Sequence, residues 1–142
     1  MESRKIYFID VIYYNCYMFY RRFEKDLNEF SGQVLTATCL SLNAIAILIF
    51  IQAVFKFYIF ENKWYTLLIS LPILLFTIIR YNRYISIVEI ENTYYIKKEN
   101  IINRLNIIAR IYIIISIFGT IFFAVILGEL NNPPPFWEKW FN

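Results

Sequence analysis

Glu89 and Glu91 come closest to a paired-carboxylate site in this chain, and their spacing argues against one. Two positions apart on a helix, they point about 200° away from each other. General acid–base work needs both groups at one reacting atom. Balancing Arg80, Arg83 or Lys98 is the plainer role. The chain has no histidine, which removes the commonest general base and metal ligand and every Ser-His or Cys-His nucleophile. Cys16 and Cys39 have no metal-ligand spacing and form no CxxC pair, so they read as reduced, structural thiols. Gly32, Gly119 and Gly128 are isolated, and no glycine-rich phosphate loop exists. An enzyme is not expected, nor is a cofactor or a bound metal. Tyr94-Tyr95-Ile96-Lys97-Lys98 mixes rings with cations. Such a cluster can stack on single-stranded nucleic acid. Beside a membrane, anionic headgroups are the expected partner instead, with no direct nucleic-acid binding.

Three apolar runs must position whatever polar groups matter: Val34–Phe55, Trp64–Ile79 and Ile111–Leu127. Each is close to the roughly 17–25 residues that a helix needs to cross the hydrocarbon core. The composition is 59% hydrophobic, and a soluble domain this small cannot bury three such contiguous runs. The expected fold is an all-α integral membrane protein with three transmembrane helices, over about residues 34–55, 64–79 and 107–128. Residues 80–106 are expected to form a cytoplasmic helical hairpin turning near Tyr95–Asn100, and residues 129–142 an aromatic tail outside. Its stripe Tyr81, Ile85, Val88, Asn92, Tyr95 extends span two, and Ile101, Leu105, Ile108, Tyr112, Ile115 starts the third helix before the bilayer. Pro72 lies inside span two, where its ring removes a backbone hydrogen bond.

Residues 1–33 read as an N-terminal cytoplasmic or interfacial arm. Phe8, Ile12, Cys16, Phe19, Phe23, Leu27 and Phe30 recur at steps of three and four, the pattern of one apolar face on a helix over Ile6–Phe30. Ser31-Gly32 is the expected break before span one. The rival reading makes residues 6–20 a fourth span, against which stand its shortness, Asp10 and Asn15. The same residues interrupt any signal-like apolar core, so no cleavable signal is expected. Eleven of the fourteen basic residues fall in the arm and in residues 80–110. With three spans these two regions share one side. The positive-inside rule makes it the cytoplasmic side of a bacterial inner membrane, with the C-terminus outside.

Polar and small residues inside the spans are the remaining candidates. Span one holds Thr36 and Asn43 on one face, the small residues Ala37, Ser41 and Ala44, and Gln52 in its outer half. Span three repeats Ser116, Thr120, Ala124 and Gly128 at steps of four. Such rows let helix backbones approach closely, within one chain or between chains. Two readings fit Asn43: the lining of a narrow pore around an oligomer axis, or an interhelical hydrogen bond, the commoner fate. Three helices bury little surface, so homo-oligomerisation is expected. No span carries an internal Asp, Glu, Lys or Arg, which disfavours a proton-coupled transporter. Arg21, Arg22, Arg83, Lys97, Lys98 and Arg104 are candidates for touching a cytoplasmic partner or lipid headgroups.

The order of parts is a basic helix (Tyr20-Arg21-Arg22-Phe23-Glu24-Lys25-Asp26), a tight apolar hairpin, then a long helix of mixed charge. That order resembles the SLATT group of small bacterial membrane effectors, and the small membrane accessory proteins of RNA-targeting CRISPR systems. The resemblance covers residues 15–110 and is architectural, with no strict motif; span three and the Pro133-Pro134-Pro135 tail depart from it. It implies a self-associating inner-membrane protein that permeabilises the membrane in phage defence, triggered through a separate sensor protein. The competing reading is a structural or scaffold subunit whose arm and hairpin dock a cytoplasmic partner.

Overall fold

The computed structural model describes residues 6–23, 26–55, 64–96 and 99–131. Among them every regular element is helical. Helix α1 spans Phe8–Tyr20, α2 Asn28–Phe55, and α3 Trp64–Ile79. A π-helical turn, Arg80–Tyr84, prolongs α3. Helix α4 spans Ile87–Ile96 and α5 Glu99–Ile114. A second π-helical turn, Ile115–Gly119, joins α5 to α6, Thr120–Asn131. Helix α2 is the centre of the bundle. It packs against α1, α3, the second π turn and α6, while α1 also lies on α5 and touches α4.

Three helical stretches are long and apolar enough to cross a membrane: Asn28–Gln52, Trp64–Tyr84 and Asn103–Phe123. Only 22%, 11% and 17% of their most apolar windows is buried, so the bundle turns most of its greasy surface outward. Leu68, Leu75 and Phe76 of α3 and Ile115, Phe118 and Phe122 of the third span are more than half exposed. A surface of this kind fits a multi-pass membrane protein. Helix α1 has 13 residues, about 20 Å of rise, too short for a hydrocarbon core of about 30 Å. It is not among the candidate spans.

Four expectations need correction. The N-terminal helix does not run through Phe30. It ends at Tyr20 in a turn, and α2 has begun by Asn28. Ser31-Gly32 is therefore no break but the first turns of α2, because Gly32 is needed where α1 crosses. A Cβ there would lie 3.0 Å from Tyr17 Cα and 3.1 Å from Tyr17 N, closer than a side chain tolerates. The third correction concerns the face of α1. Phe8, Phe19, Phe23, Leu27 and Phe30 are exposed, whereas Asp10, Val11, Ile12, Tyr13, Cys16 and Tyr17 are buried.

The fourth correction lies in the hairpin. Span two does not extend outward as one helix. Ile85 takes extended backbone angles, and α4 starts afresh behind a reciprocal cap: the Ser86 N–H donates to Glu89 Oε2 at 3.2 Å, and the Glu89 N–H donates to Ser86 Oγ at 3.3 Å. The break rotates the stripe, so Ile85, Ile87 and Ile90 are buried while Val88 is 58% exposed. Tyr13, Tyr81, Ile85, Ile87 and Ile90 then form one apolar cluster under α1, and Val11, Ile12, Cys16 and Ala109 a second. The turn expected near residues 95–100 falls partly on Lys97 and Lys98, outside the described residues. So do residues 132–142, including most of the expected aromatic tail.

Candidate functional site

Helix α1 caps one end of the bundle, held by polar groups from each span. The strongest anchor is Asp10, which is fully buried. Arg80 reaches it from the end of α3 with two parallel bonds, Nε to Oδ1 at 2.9 Å and Nη2 to Oδ2 at 2.8 Å. The Tyr81 hydroxyl donates to Oδ1 at 3.1 Å, and the Tyr7 N–H to Oδ2 at 2.9 Å. Four donors thus converge on one carboxylate, which offsets the cost of removing it from water. The local sequence explains the arrangement. Asp10 occupies the third position of α1, where an acid can bond the orphan N–H groups of the first turn. Arg80 and Tyr81 open the π turn after α3, and both reach α1 at Asp10. The Tyr13 and Tyr81 rings stack above them, with centroids 3.8 Å apart.

A second anchor joins α1 to the third span. Asn15 Nδ2 donates to Asn106 Oδ1 at 2.9 Å, and Arg110 Nε donates to Asn15 Oδ1 at 3.2 Å. Gln33 of α2 donates to Asn82 Oδ1 at 2.8 Å. Arg21 pairs with Glu91 of α4 at 3.3 Å, an exposed contact that adds little stability.

Asn43 is a half-buried polar group in the middle of α2. Its amide donates to the Tyr112 hydroxyl and, at 2.8 Å, to Ser116 Oγ. Asn43 therefore joins α2 to the third span inside one chain. Thr36 and Thr120 are buried and donate to carbonyls of their own helices, those of Gly32 and Ser116, each at 2.7 Å. Ala37, Ser41 and Ser116 are buried; Ala44 and Gln52 are half-buried. Ala124 and Gly128 continue the row in α6, and their surroundings lie outside the described residues. Of the cationic candidates, Arg22, Arg83 and Arg104 are exposed and make no ion pair among the described residues. Lys97 and Lys98 fall outside the described residues.

Asp10, Arg80, Asn15 and Asn106 were not candidates from sequence. Asp10 counted only against a fourth span and a cleavable signal, and Arg80 counted toward topology and as a partner for Glu89 or Glu91; instead Arg80 pairs with Asp10 and Glu91 with Arg21. The usable signal was Asp10 itself: an acid within an aromatic, apolar stretch needs a cationic partner, and Arg80 is the first cation after an apolar run.

Burial at this cap has a measurable consequence. It pushes the Cys16 thiol from 9.0 up to about 12, opposed by a hydrogen bond with Thr36 and reinforced by Cys39. It also pushes the Tyr13 hydroxyl from 10.0 up to about 12, with Glu29 adding to the rise. Both are acids whose ionised form the fold rejects. Their contribution is complete below their ordinary values and is lost as pH rises from about 9 toward about 12. The melting temperature should fall across that window, and less so in Cys16→Ala. At about pH 8, folded Cys16 should resist alkylation and react only on unfolding.

The titratable groups that converge here, Asp10, Arg80 and Tyr81, are bonded to one another. The site is a joint, with exposed cations around it. No protein-family model, curated protein or solved structure matches this chain.

Proposed function

We propose that this chain is a non-enzymatic subunit of a bacterial inner membrane, with α1, α4 and the π turn after α3 facing the cytoplasm as a docking platform for a protein partner. What supports this is how the polar groups are spent. Asn43, Thr36, Ser116 and Thr120, four of the polar groups that could line a water path, are bonded within the chain. Arg83 and Arg104 stand exposed at the capped end. The cap is fastened to the α3 end and to the third span, so a partner would meet a preformed surface. Affinity isolation of the full chain in mild detergent tests the reading. The expected result is a stable heteromeric complex that Arg83→Glu/Arg104→Glu loses while monomer folding is retained. A complex indifferent to both charges would refute it.

A second reading, a self-associating membrane-permeabilising effector of phage defence, draws support from the uncovered apolar faces of α3 and the third span and from the architectural resemblance. A closed homo-oligomer with an axial hole, together with loss of membrane potential on expression, would establish it over the scaffold. Asn43→Leu discriminates further. If Asn43 serves only to join helices, the variant should lose about 0.6–1.7 kcal/mol of stability in detergent, with no change in membrane potential in cells.

A further inference from the structure

Between α1 and the third span runs a groove of about 520 Å³, within the ~300–1,000 Å³ of small-ligand sites. Two cations, Arg22 and Arg110, both exposed, are among the residues that line it. Arg110 donates through Nε to Asn15 Oδ1, and no bond to its two outer nitrogens is seen among the described residues. No acidic side chain among the described residues lines it. Much of the remaining wall is apolar, with Phe19 from α1, Leu35 from α2, and Ile113 and Ile117 from the third span. Residues 110, 113 and 114 follow α-helical spacing and Ile117 lies in the π turn that continues α5, so the third span contributes wall over about 10 Å of its axis. The apolar walls from α2 and the third span belong to stretches long enough to cross a membrane.

A groove that combines two arginines with apolar walls matches an amphiphile that carries both a phosphodiester and a hydrocarbon chain. A free anion would leave the apolar walls uncovered, and an acidic peptide would have no use for them. We propose that this groove binds one anionic phospholipid, with the phosphate held between Arg22 and Arg110 and one acyl chain lying against Phe19, Leu35, Ile113 and Ile117. The lipid would bridge α1 to the third span and so add to the Asn15–Asn106 joint. The inference rests on the membrane reading but not on the partner-docking one, which uses Arg83 and Arg104.

The test titrates phosphatidylglycerol or phosphatidylcholine into the full chain in detergent and counts bound lipid by native mass spectrometry. One phosphatidylglycerol should bind in clear preference to phosphatidylcholine. Arg22→Gln/Arg110→Gln should weaken it roughly thirtyfold, the effect of two cations at a lipid surface. Arg83→Gln/Arg104→Gln, with the same loss of charge, should leave it unchanged. Ile117→Trp fills the groove, keeps both cations and should also lose the lipid; it decides the matter if the arginine variant loses helicity. Equal affinity for the two lipids, equal weakening by the two arginine pairs, or wild-type binding by Ile117→Trp would each overturn the proposal. Displacement by millimolar inorganic phosphate would overturn it too, by assigning the cations to a free anion. Failure of the membrane reading would look different: the chain would stay in solution without detergent.

Discussion

Asp10→Ala is expected to destabilise the fold by about 3–5 kcal/mol, the usual cost of breaking a buried ion pair from one side. The loss arises chiefly from what remains. Arg80 has a side chain only 17% exposed, and without Asp10 it keeps its charge and loses two charge-assisted bonds. The Tyr7 N–H loses its acceptor as well, while the Tyr81 hydroxyl retains the Ile9 carbonyl at 3.1 Å. Asp10→Asn should be nearly as harmful, because an amide presents donors where Arg80 also donates. The double variant Asp10→Leu/Arg80→Met should recover most of the loss, since it removes both desolvation penalties together. Thermal unfolding in detergent, followed by circular dichroism, measures all three. An Asp10→Ala protein that melts with the wild type would show that the pair does not form. A double variant as weak as the single would assign the effect to the helix start rather than to the pair.

Gly32→Leu is expected to displace α1 from the bundle. Two opposing effects act when Gly32 gains a side chain. Alanine favours a helix interior over glycine by about 1 kcal/mol. Overpacking typically costs about 1–3 kcal/mol, and here the obstacle is Tyr17 backbone at 3.0 and 3.1 Å, with the Tyr13 ring at 3.3 Å. A backbone cannot rotate aside as a long side chain can, so the steric effect wins. Gly32→Ala should therefore be destabilising despite its better propensity, and Gly32→Leu should separate the helices. Cys16 is the reporter: it is 1% exposed and should be inert to maleimide in a Cys39→Ala background, yet label rapidly once Gly32→Leu moves α1. A stable Gly32→Leu protein with protected Cys16 would rule out the close crossing.

The two glycine readings show how far sequence reasoning carries. Ser31-Gly32 reads as a breaker when judged locally, since glycine weakens a helix. In the fold the same absence of a Cβ serves a neighbour, and no local pattern contains that neighbour. The aromatic row Phe8, Phe19, Phe23 misled for a related reason. Apolar periodicity marks the core when water is the solvent. Helix α1 carries more apolar positions than α2 and α5 can cover, so Ile12 and Cys16 of that row are buried while Phe8, Phe19 and Phe23 are left exposed. The row Ser116, Thr120 was legible because small residues are informative where apolar ones are not.

Length, composition and apolar runs determined by themselves that the chain is helical with three stretches able to cross a bilayer, because backbone polar groups in a run that greasy must be satisfied within the helix. The absence of histidine and of a phosphate-binding loop likewise needed no structure. Tertiary structure alone decided that Asp10 meets Arg80, that Asn15 meets Asn106 and Arg110, and that Asn43 is spent on Tyr112 and Ser116. These partners lie between 69 and 95 positions apart in the chain. Their meeting depends on the packing of α1 on α2 and α5 and of α2 on the third span, which is not written in the spacing of any one segment.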